Sequence, residues 1–329
     1  MDEDAGAPPR GPLVYRQSAW TRLTHWLWAL CLFFLLLSGL QIFNAHPALY
    51  IGQESGFDYD NAVLRIGAVN SQSGPRGRTT VLGHDFDTTG VLGMSGPAER
   101  PSFTAFPGAL TIPSYRDLAT GRVVHFFFAW IFVGTLFVWL AASLFNGHLR
   151  RDILPSGEDL RELPGDVAAH ARFRLGKGRR YGPVQKLSYF LVLCVLFPLI
   201  IATGLTMSPG INAAAPWMLD LFGGRQTART IHFLAMLTLV FFFIVHMLMV
   251  LAGGPFNTLR AMVTGWYRTG RGTPARQGDR PWAGSSPAVI SSPPRWRPAR
   301  GWCWPGATSS ISSASAAIRC ARPWSGPMC

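Results

Sequence analysis

The sequence predicts an all-α membrane protein: a bundle of four transmembrane helices, with a long loop between the first two and a disordered C-terminal tail. Two observations predict this fold class. Of the 329 residues, 48% are hydrophobic and only 14% are charged, whereas charged residues make up about a quarter of a soluble domain. Four stretches also contain no Asp, Glu, Lys or Arg, namely 23–53, 123–149, 187–219 and 230–259. Each holds an apolar run of about 20 residues, the length that crosses about 30 Å of hydrocarbon, so a soluble enzyme is excluded.

These stretches divide the chain into spans and connections. We expect the spans at about 24–43, 123–145, 187–207 and 230–252, within a helical domain of residues 23–268. The remaining segments are an N-terminus of residues 1–22, a long loop of residues 44–121, a basic loop of residues 150–186 and a tail of residues 269–329. Because no small-residue cleavage site follows the first span, we interpret it as a retained helix rather than a signal peptide.

The distribution of basic residues predicts the orientation in the membrane. The formal net charge is +13, and loop 150–186 is strongly basic, whereas the connection between spans three and four holds only Arg225 and Arg229. Basic loops stay in the cytoplasm, so both termini are expected there and loop 44–121 on the exoplasmic side. This long loop is a candidate subdomain or docking surface for a partner. Because nearly all the basic residues are Arg, the excess indicates a GC-rich gene rather than a nucleic-acid partner.

The tail 269–329 differs in composition from the rest of the chain. Its tryptophans are scattered through Pro, Ser and Gly with neither helical nor strand periodicity. One interpretation is a basic arm that binds a membrane surface or a partner. The other, which we favour, is a disordered tail or the product of a shifted reading frame, and no function is assigned to it.

Four of the eight histidines lie within the spans: His25, His125, His232 and His246. Ionisable side chains at membrane depth are costly and usually mark a functional site. In the predicted orientation, His25 and His246 lie toward the cytoplasm, and His125 and His232 lie toward the exoplasmic face. Fourteen residues separate His232 from His246, and fourteen steps of about 100° fall within about 40° of four full turns. Both therefore face the same side of one helix, separated by about 21 Å of rise.

Two histidines at each of two depths predict two haems with bis-histidine ligation. Zinc, or iron in a carboxylate site, would need further ligands, and no span contains Asp or Glu. A haem with two axial imidazoles needs only those two nitrogens and an apolar slot between facing helices. The predicted metal ligands are His25 paired with His246, and His125 paired with His232.

An arginine precedes three of these histidines by three residues: Arg22, Arg122 and Arg229. The spacing places each arginine on the face of its histidine, one turn closer to water. A cation at a helix N-terminus opposes the macrodipole, and the anionic propionates of a haem would offset that cost. Ordinary snorkelling to the membrane interface is the alternative. Because the spacing is the same three times, we favour cofactor binding by these arginines.

Other polar or small residues in the spans have two interpretations each. Asn146 and His148 lie where the second span reaches the cytoplasmic face, and a histidine that titrates near neutral pH can take up protons beside a quinone. They are candidate quinone contacts, or else interfacial polar groups. Gly39, Gly134 and Gly204 would let a flat macrocycle approach the backbone, or else serve helix packing.

The motifs around the histidines resemble a known family. They are Trp20-Thr-Arg-Leu-Thr-His25-Trp26, Gly121-Arg-Val-Val-His125-Phe and Ala228-Arg-Thr-Ile-His232, followed by His246. As a set they resemble the bacterial cytochrome b561 / nickel-hydrogenase b-type cytochrome subunit family, over residues 14–268. That family includes the di-haem membrane subunits of formate dehydrogenase, hydrogenase and thiosulfate reductase complexes.

The resemblance implies a function for the chain. It implies two b haems, the same two histidine pairs, a quinone site near the cytoplasmic haem and a catalytic oxidoreductase partner on the exoplasmic face of a bacterial inner membrane. The segments 110–118 and 204–210 look closest to members that accompany a molybdopterin oxidoreductase of sulfite-oxidase type; an iron–sulfur subunit is the other partner class that the family implies. The loop 44–121 is longer than in typical members, which leaves the partner open.

The expected function is therefore electron transfer between the quinone pool and that partner, as a membrane-anchoring subunit of a respiratory oxidoreductase complex. The chain is not expected to convert a substrate by itself beyond quinone oxidation or reduction. Two other classes stay open at this point. A transporter or proton relay would use the intramembrane histidines without haem, although such relays usually pair histidine with Asp or Glu. A non-redox membrane anchor would bind its partner without any cofactor.

Overall fold

The computed structural model describes residues 13–56, 58–72, 74–97, 99–172 and 182–268, with only the backbone at 151, 152, 170 and 171. The predicted disordered tail lies outside the described residues. The α-helices are α1 (Ala19–Phe43), α2 (Leu118–Phe145), α3 (Gly157–Ala171), α4 (Pro183–Phe190), α5 (Phe197–Thr206), α6 (Pro209–Ala214), α7 (Trp217–Leu221), α8 (Arg225–Ala252) and α9 (Pro255–Thr264). The strands are β1 (Leu13–Tyr15), β2 (Ala48–Tyr50), β3 (Ala62–Ser71), β4 (Gly74–Val81), β5 (His84–Asp87) and β6 (Trp266–Arg268).

The four predicted spans are confirmed. Within the described residues, α1, α2, α8 and the composite helix Pro183–Thr206 are long and apolar enough to cross a membrane. Each begins four or five residues before the predicted apolar run, because polar residues at the interface start the helix. Ser18 caps α1 by accepting a hydrogen bond from the Thr21 amide at 3.1 Å, and Asp117 caps α2 through the Thr120 amide at 3.1 Å.

The third span is not a uniform α-helix. A π-helical turn, Leu191–Leu196, joins α4 to α5. Pro198 lies two residues after this turn and has no backbone N–H to donate, so a regular ladder of α-helical hydrogen bonds cannot pass through it. A π-helical turn inserts an extra residue into a helix and changes the direction of the side chains beyond it. The second half of the span, α5, packs against α8.

The core of the bundle lies where α1, α2 and the third span meet. Its buried side chains include Cys31, Phe132, Leu136, Trp139, Val192 and Phe197. The rings of Phe132 and Phe197 meet edge to face at 4.8 Å between centroids, a favourable aromatic arrangement. Large apolar side chains on the outer faces, such as Phe137 and Phe241, are exposed, as expected for surfaces in contact with lipid.

The prediction of an all-α fold is wrong for loop 44–121. This loop contains an antiparallel four-stranded sheet in the order β2-β3-β4-β5. Outside the loop, β1 pairs with β6 in a second, two-stranded sheet. Glycines of this loop form tight turns: Gly83, between β4 and β5, has φ +83°. β-Branched residues such as Val63, Ile66 and Thr79 favour the strands between the turns.

The four-stranded sheet is joined to one end of the bundle, which we call the sheet end; the opposite end, where β1 and β6 pair, is the terminal end. At the sheet end Asn44, which caps α1, exchanges two hydrogen bonds with the backbone of Phe106, at 3.0 and 2.8 Å. Phe43 stacks on Phe233 of α8 at 4.8 Å between centroids. Buried Leu49 and Ile66 of the sheet complete this apolar cluster.

The loop also caps α8. The first four N–H groups of a helix have no partner within the helix. Here the Gly52 carbonyl accepts hydrogen bonds from the amides of Gln226 at 3.1 Å and Thr227 at 3.2 Å, and the Gln53 side chain accepts one from the Arg225 amide at 3.1 Å. The Thr227 hydroxyl in turn accepts the Gly52 amide at 2.7 Å. The start of α8 is therefore fixed by the loop rather than by its own sequence.

In the basic loop, α3 is tied to the third span by an ion pair. Lys186 of α4 donates to the Asp159 carboxylate at 2.6 Å, with side-chain exposures of 15% and 21%. The hydrogen bond from Lys186, followed by those from Ser156, lowers the pKa of Asp159 well below its ordinary value. The contact places a basic residue at the terminal end of the bundle.

Replacing Gly224 with Ala should separate the loop from α8. Gly224 has φ +112°, and a Cβ there would lie 2.6 Å from the Gly52 carbonyl oxygen. Gly223 has φ +70° with nothing within 4 Å of the added atom. Gly223→Ala therefore costs only backbone strain, about 1–3 kcal/mol, whereas Gly224→Ala adds the collision. We expect a larger fall in the thermal midpoint for Gly224→Ala; equal falls would show that the contact with Gly52 does not stabilise the fold.

Candidate functional site

The four intramembrane histidines meet in two pairs. The rings of His25 on α1 and His246 on α8 have centroids 6.4 Å apart, with a 47° angle between the ring planes. At the sheet end, His125 on α2 and His232 on α8 are close enough to interact electrostatically. These are the same two pairs that the sequence predicts from the depths of the four histidines in the membrane. Their role as ligands stays a prediction.

The spacing of the first pair fits a single metal ion between two imidazoles. A metal–imidazole bond is about 2.0 Å long and the nitrogen lies roughly 1.1 Å from the ring centre, so two rings on opposite sides of one ion have centroids about 6.2 Å apart. The observed 6.4 Å agrees with this value. The Nδ1 atom of His25 is also buried without a hydrogen-bond partner among the described residues. A buried polar atom without a partner is costly, which supports a ligand at this ring.

The second pair lies against two small, polar segments of the neighbouring spans. Nδ1 of His125 is 3.1 Å from the Ser38 hydroxyl of α1, and Nδ1 of His232 is 3.1 Å from the Thr203 hydroxyl of α5. Gly39 lies beside the first ring, where an added Cβ would be 3.4 Å from Cε1. Because Gly39 has no side chain, the His125 ring can lie close to the backbone of α1.

Ser38 and Thr203 were missed from the sequence, and one signal was available. In spans one and three a hydroxyl residue stands directly before a glycine, as Ser38-Gly39 and Thr203-Gly204. The glycines are predicted macrocycle contacts, whereas no role is predicted for the two hydroxyls. The third glycine, Gly134, has nothing within 4 Å of an added Cβ. It contacts neither ring and lines a small apolar pocket between α1 and α2.

The three arginines predicted to bind cofactor have different surroundings. Arg22 donates to the Val263 carbonyl of α9 at 2.6 Å, and its buried Nε has no partner among the described residues. Arg229 donates to the His46 carbonyl, and its guanidinium also lies over the Phe43 ring. Arg122 is exposed and lies over the Phe126 ring. An arginine has five N–H donors, so each retains donors beyond these contacts.

The contact of Arg229 with His46 joins α8 to the loop near the predicted exoplasmic haem. The ring of His46 stacks on Tyr50 at 5.6 Å between centroids. Partial desolvation of the ring and the positive charge of Arg229 lower the pKa of His46. Between this lowered pKa and the ordinary value, the unfolded chain binds more protons than the folded one, so stability from this group rises with pH.

Asn146 and His148, the candidate quinone contacts, lie at the terminal end. Asn146 caps the C-terminus of α2 and is exposed. The ring of His148 packs edge-on against Trp139 at 6.4 Å between centroids. A quinone role for Asn146 and His148 stays a prediction.

No group of three His, Cys, Asp or Glu side chains that could hold a metal ion occurs in the part of the chain that the structure describes. A site built from two imidazoles with further ligands from a cofactor differs from such clusters, because a porphyrin supplies the other four nitrogens. The chemistry of the donors therefore fits haem.

Fold and histidines together describe a multi-pass helical membrane protein that carries two pairs of histidines within its spans. Residues 159–265, which contain the third and fourth spans with His232 and His246, match the family described as prokaryotic cytochrome b561. This match confirms the family that the motifs predicted, and the family implies binding of b-type haem.

A curated relative supports the same class. The chain is 23% identical, over 248 residues, to a protein of Azospira oryzae whose name makes it a candidate protein-methionine-sulfoxide reductase subunit. The alignment covers 75% of this chain and 94% of the relative. The likeness therefore extends through nearly the whole of that protein.

Replacing Arg229 with Gln should raise the pKa of His46. Loss of the nearby positive charge removes one of the two causes that lower it, while the larger cause, desolvation of the ring, is kept. The expected shift is therefore toward the ordinary value but incomplete. A pH titration of the labelled His46 ring by nuclear magnetic resonance measures it. Arg229→Lys keeps the charge and should leave the pKa low; equal shifts in both variants would contradict the electrostatic cause.

Proposed function

We propose that the chain is a membrane-anchoring b-type cytochrome subunit that transfers electrons between the quinone pool and an exoplasmic oxidoreductase partner through two bis-histidine haems. One observation carries the proposal: α8 presents His232 and His246 fourteen residues apart, with His25 of α1 at 6.4 Å from His246 between ring centroids and His125 of α2 within electrostatic range of His232. A helix that supplies a ligand at two depths supports a path through the membrane in two steps.

The residues of the chain hold and orient the cofactors in this proposal. His25 and His246 bind one haem at the terminal end, and His125 and His232 bind the other at the sheet end. When bound, haem supplies reversible one-electron reduction. The apolar core around Phe132 packs α1, α2 and the third span against one another. Arg22, Arg122 and Arg229 offer donors to the propionates, which are anionic.

The two ends of the bundle have different tasks. At the terminal end, Asn146 and His148 are proposed to contact the quinone, with His148 taking up or releasing the proton that accompanies each electron. The basic residues of loop 150–186 support a cytoplasmic position of this end. At the sheet end, the sheet β2–β5 is proposed to face the exoplasm and to bind the catalytic partner.

The partner is proposed to be a catalytic oxidoreductase subunit. The name of the Azospira oryzae relative, which assigns it to a reductase of methionine sulfoxide in proteins, supports this class. The segments 110–118 and 204–210 point in the same direction through their likeness to members that accompany a molybdopterin enzyme. Both segments lie at the sheet end, at the start of α2 and the end of α5.

A reduced-minus-oxidised spectrum of the purified chain, with a haem-to-protein ratio, tests the proposal. We expect b-type bands and a ratio of two. His232→Ala should remove the haem at the sheet end, and His246→Ala the haem at the terminal end, so each variant keeps a ratio of one. His84→Ala, on the exposed strand β5, is the matched control and should keep both haems.

The same variants separate the proposal from its alternatives. A chain without b-type bands that still binds its partner is a non-redox anchor. A chain without bands whose four histidines are needed for proton movement is a relay. A spectrum in which His232→Ala and His246→Ala remove the same haem would show that the two histidines do not serve separate sites.

A further inference from the structure

Two dipeptides, one in α1 and one in α5, make the same contact with a histidine of the following span. Ser38 and Thr203 each place a hydroxyl oxygen 3.1 Å from Nδ1 of His125 and His232 respectively. The glycine that follows each hydroxyl lies beside the same ring. An added Cβ would be 3.4 Å from Cε1 of His125 at Gly39, and 3.3 Å from Cε1 of His232 at Gly204. The two contacts agree within about 0.1 Å although the helices differ.

The hydrogen of each hydroxyl is already used within its own helix. Ser38 donates to the Phe34 carbonyl at 2.6 Å, and Thr203 donates to the Leu199 carbonyl at 2.8 Å. A hydroxyl has one hydrogen and two lone pairs, and a carbonyl only accepts. Toward the imidazole, each hydroxyl oxygen is therefore the acceptor. Nδ1 of His125 and Nδ1 of His232 must be the donors, so both carry the hydrogen.

The backbone of the same helices supports this assignment. The Ser38 hydroxyl also lies 3.4 Å from the Leu35 carbonyl oxygen, and the Thr203 hydroxyl lies 3.2 Å from the Ile200 carbonyl oxygen. Each of these residues lies three positions before the hydroxyl residue. Each hydroxyl therefore has a second carbonyl acceptor for its single hydrogen within its own helix, so that hydrogen is not directed to the imidazole.

The consequence concerns the other ring nitrogen. In a neutral imidazole with its hydrogen on Nδ1, the lone pair is on Nε2, which can bind a metal. The glycines let the rings lie close to the backbones of α1 and α5, because an added Cβ would already be 3.3–3.4 Å from Cε1, the carbon between the two nitrogens. The hydroxyl determines which ring nitrogen carries no hydrogen. The glycine determines how close the ring lies to the helix backbone.

We propose that Ser38 and Thr203 are positioning residues for the haem at the sheet end: they hold the hydrogen on Nδ1 of His125 and His232, so that both Nε2 atoms are free to bind one iron. The proposal rests on the proposed function. A hydrogen bond from the outer N–H of a metal-bound imidazole makes the ligand more basic, which stabilises ferric over ferrous iron. The two hydroxyls therefore lower the midpoint potential of this haem.

Ser38→Ala and Thr203→Val test the proposal. Each should shift the midpoint potential of one haem upward, and the double variant should shift it further, while the haem of His25 and His246 stays unchanged as an internal reference. Thr135→Val is the matched control, because Thr135 also bonds a carbonyl of its own helix, that of Ile131, and accepts Trp28 at 3.1 Å. Ser38→Thr and Thr203→Ser keep the hydroxyl and should restore the potential.

Potentiometric titration and electron paramagnetic resonance of the ferric haems are the readouts. An unchanged potential in the double variant would overturn the proposal, as would an equal shift in Thr135→Val or in both haems. If a variant loses the haem altogether, retention by the hydroxyl-keeping variants supports the proposal and loss in them contradicts it.

Failure of the proposed function can be told apart from failure of this inference. A purified wild-type chain without b-type bands would remove the proposed function. Nitrogen-15 resonance of His125 and His232 in that same preparation would still report which ring nitrogen carries the hydrogen. Hydrogen on Nδ1 supports the role of Ser38 and Thr203, and hydrogen on Nε2 overturns it, whether or not haem is bound.

Discussion

The pairing of imidazoles from different helices at apolar depth is the constraint on which the rest of this structure depends. An imidazole placed in hydrocarbon without partners is costly, so each of the four needs a defined contact. α8 supplies half of both pairs, and α1 and α2 supply the other halves. The positions of the helices are therefore linked through His25, His125, His232 and His246. A shift of α8 along its axis would disturb both pairs together, which makes the anchoring of this helix important.

The anchoring of α8 comes from the loop that precedes α2. Gly52 and Gln53 cap its first turn, and Phe43 and Phe233 pack beneath the sheet. The segment proposed to bind the partner is thus in direct contact with the helix proposed to hold the haems. At the other end, Arg22 and Trp26 of α1 donate to carbonyls of α9 at 2.6 and 3.0 Å, so the helix that follows α8 is held as well.

The sequence was sufficient for the spans and the histidine pairs, because charge-free length and helical periodicity follow directly from the solvent and from backbone geometry. It was insufficient for the sheet, whose strands are partly exposed and contain glycines such as Gly67 and Gly77. The hydroxyls of Ser38 and Thr203 were also missed, since a hydroxyl inside a helix usually bonds its own backbone. Only the three-dimensional neighbours reveal the second contact with the imidazole.

The most direct measurement is a density map of the purified chain by electron cryo-microscopy. The account predicts two porphyrins, one between His25 and His246 and the other between His125 and His232, with their irons separated along α8 by about 21 Å of helical rise. A single porphyrin, or histidine rings that face lipid with no density between them, would contradict it.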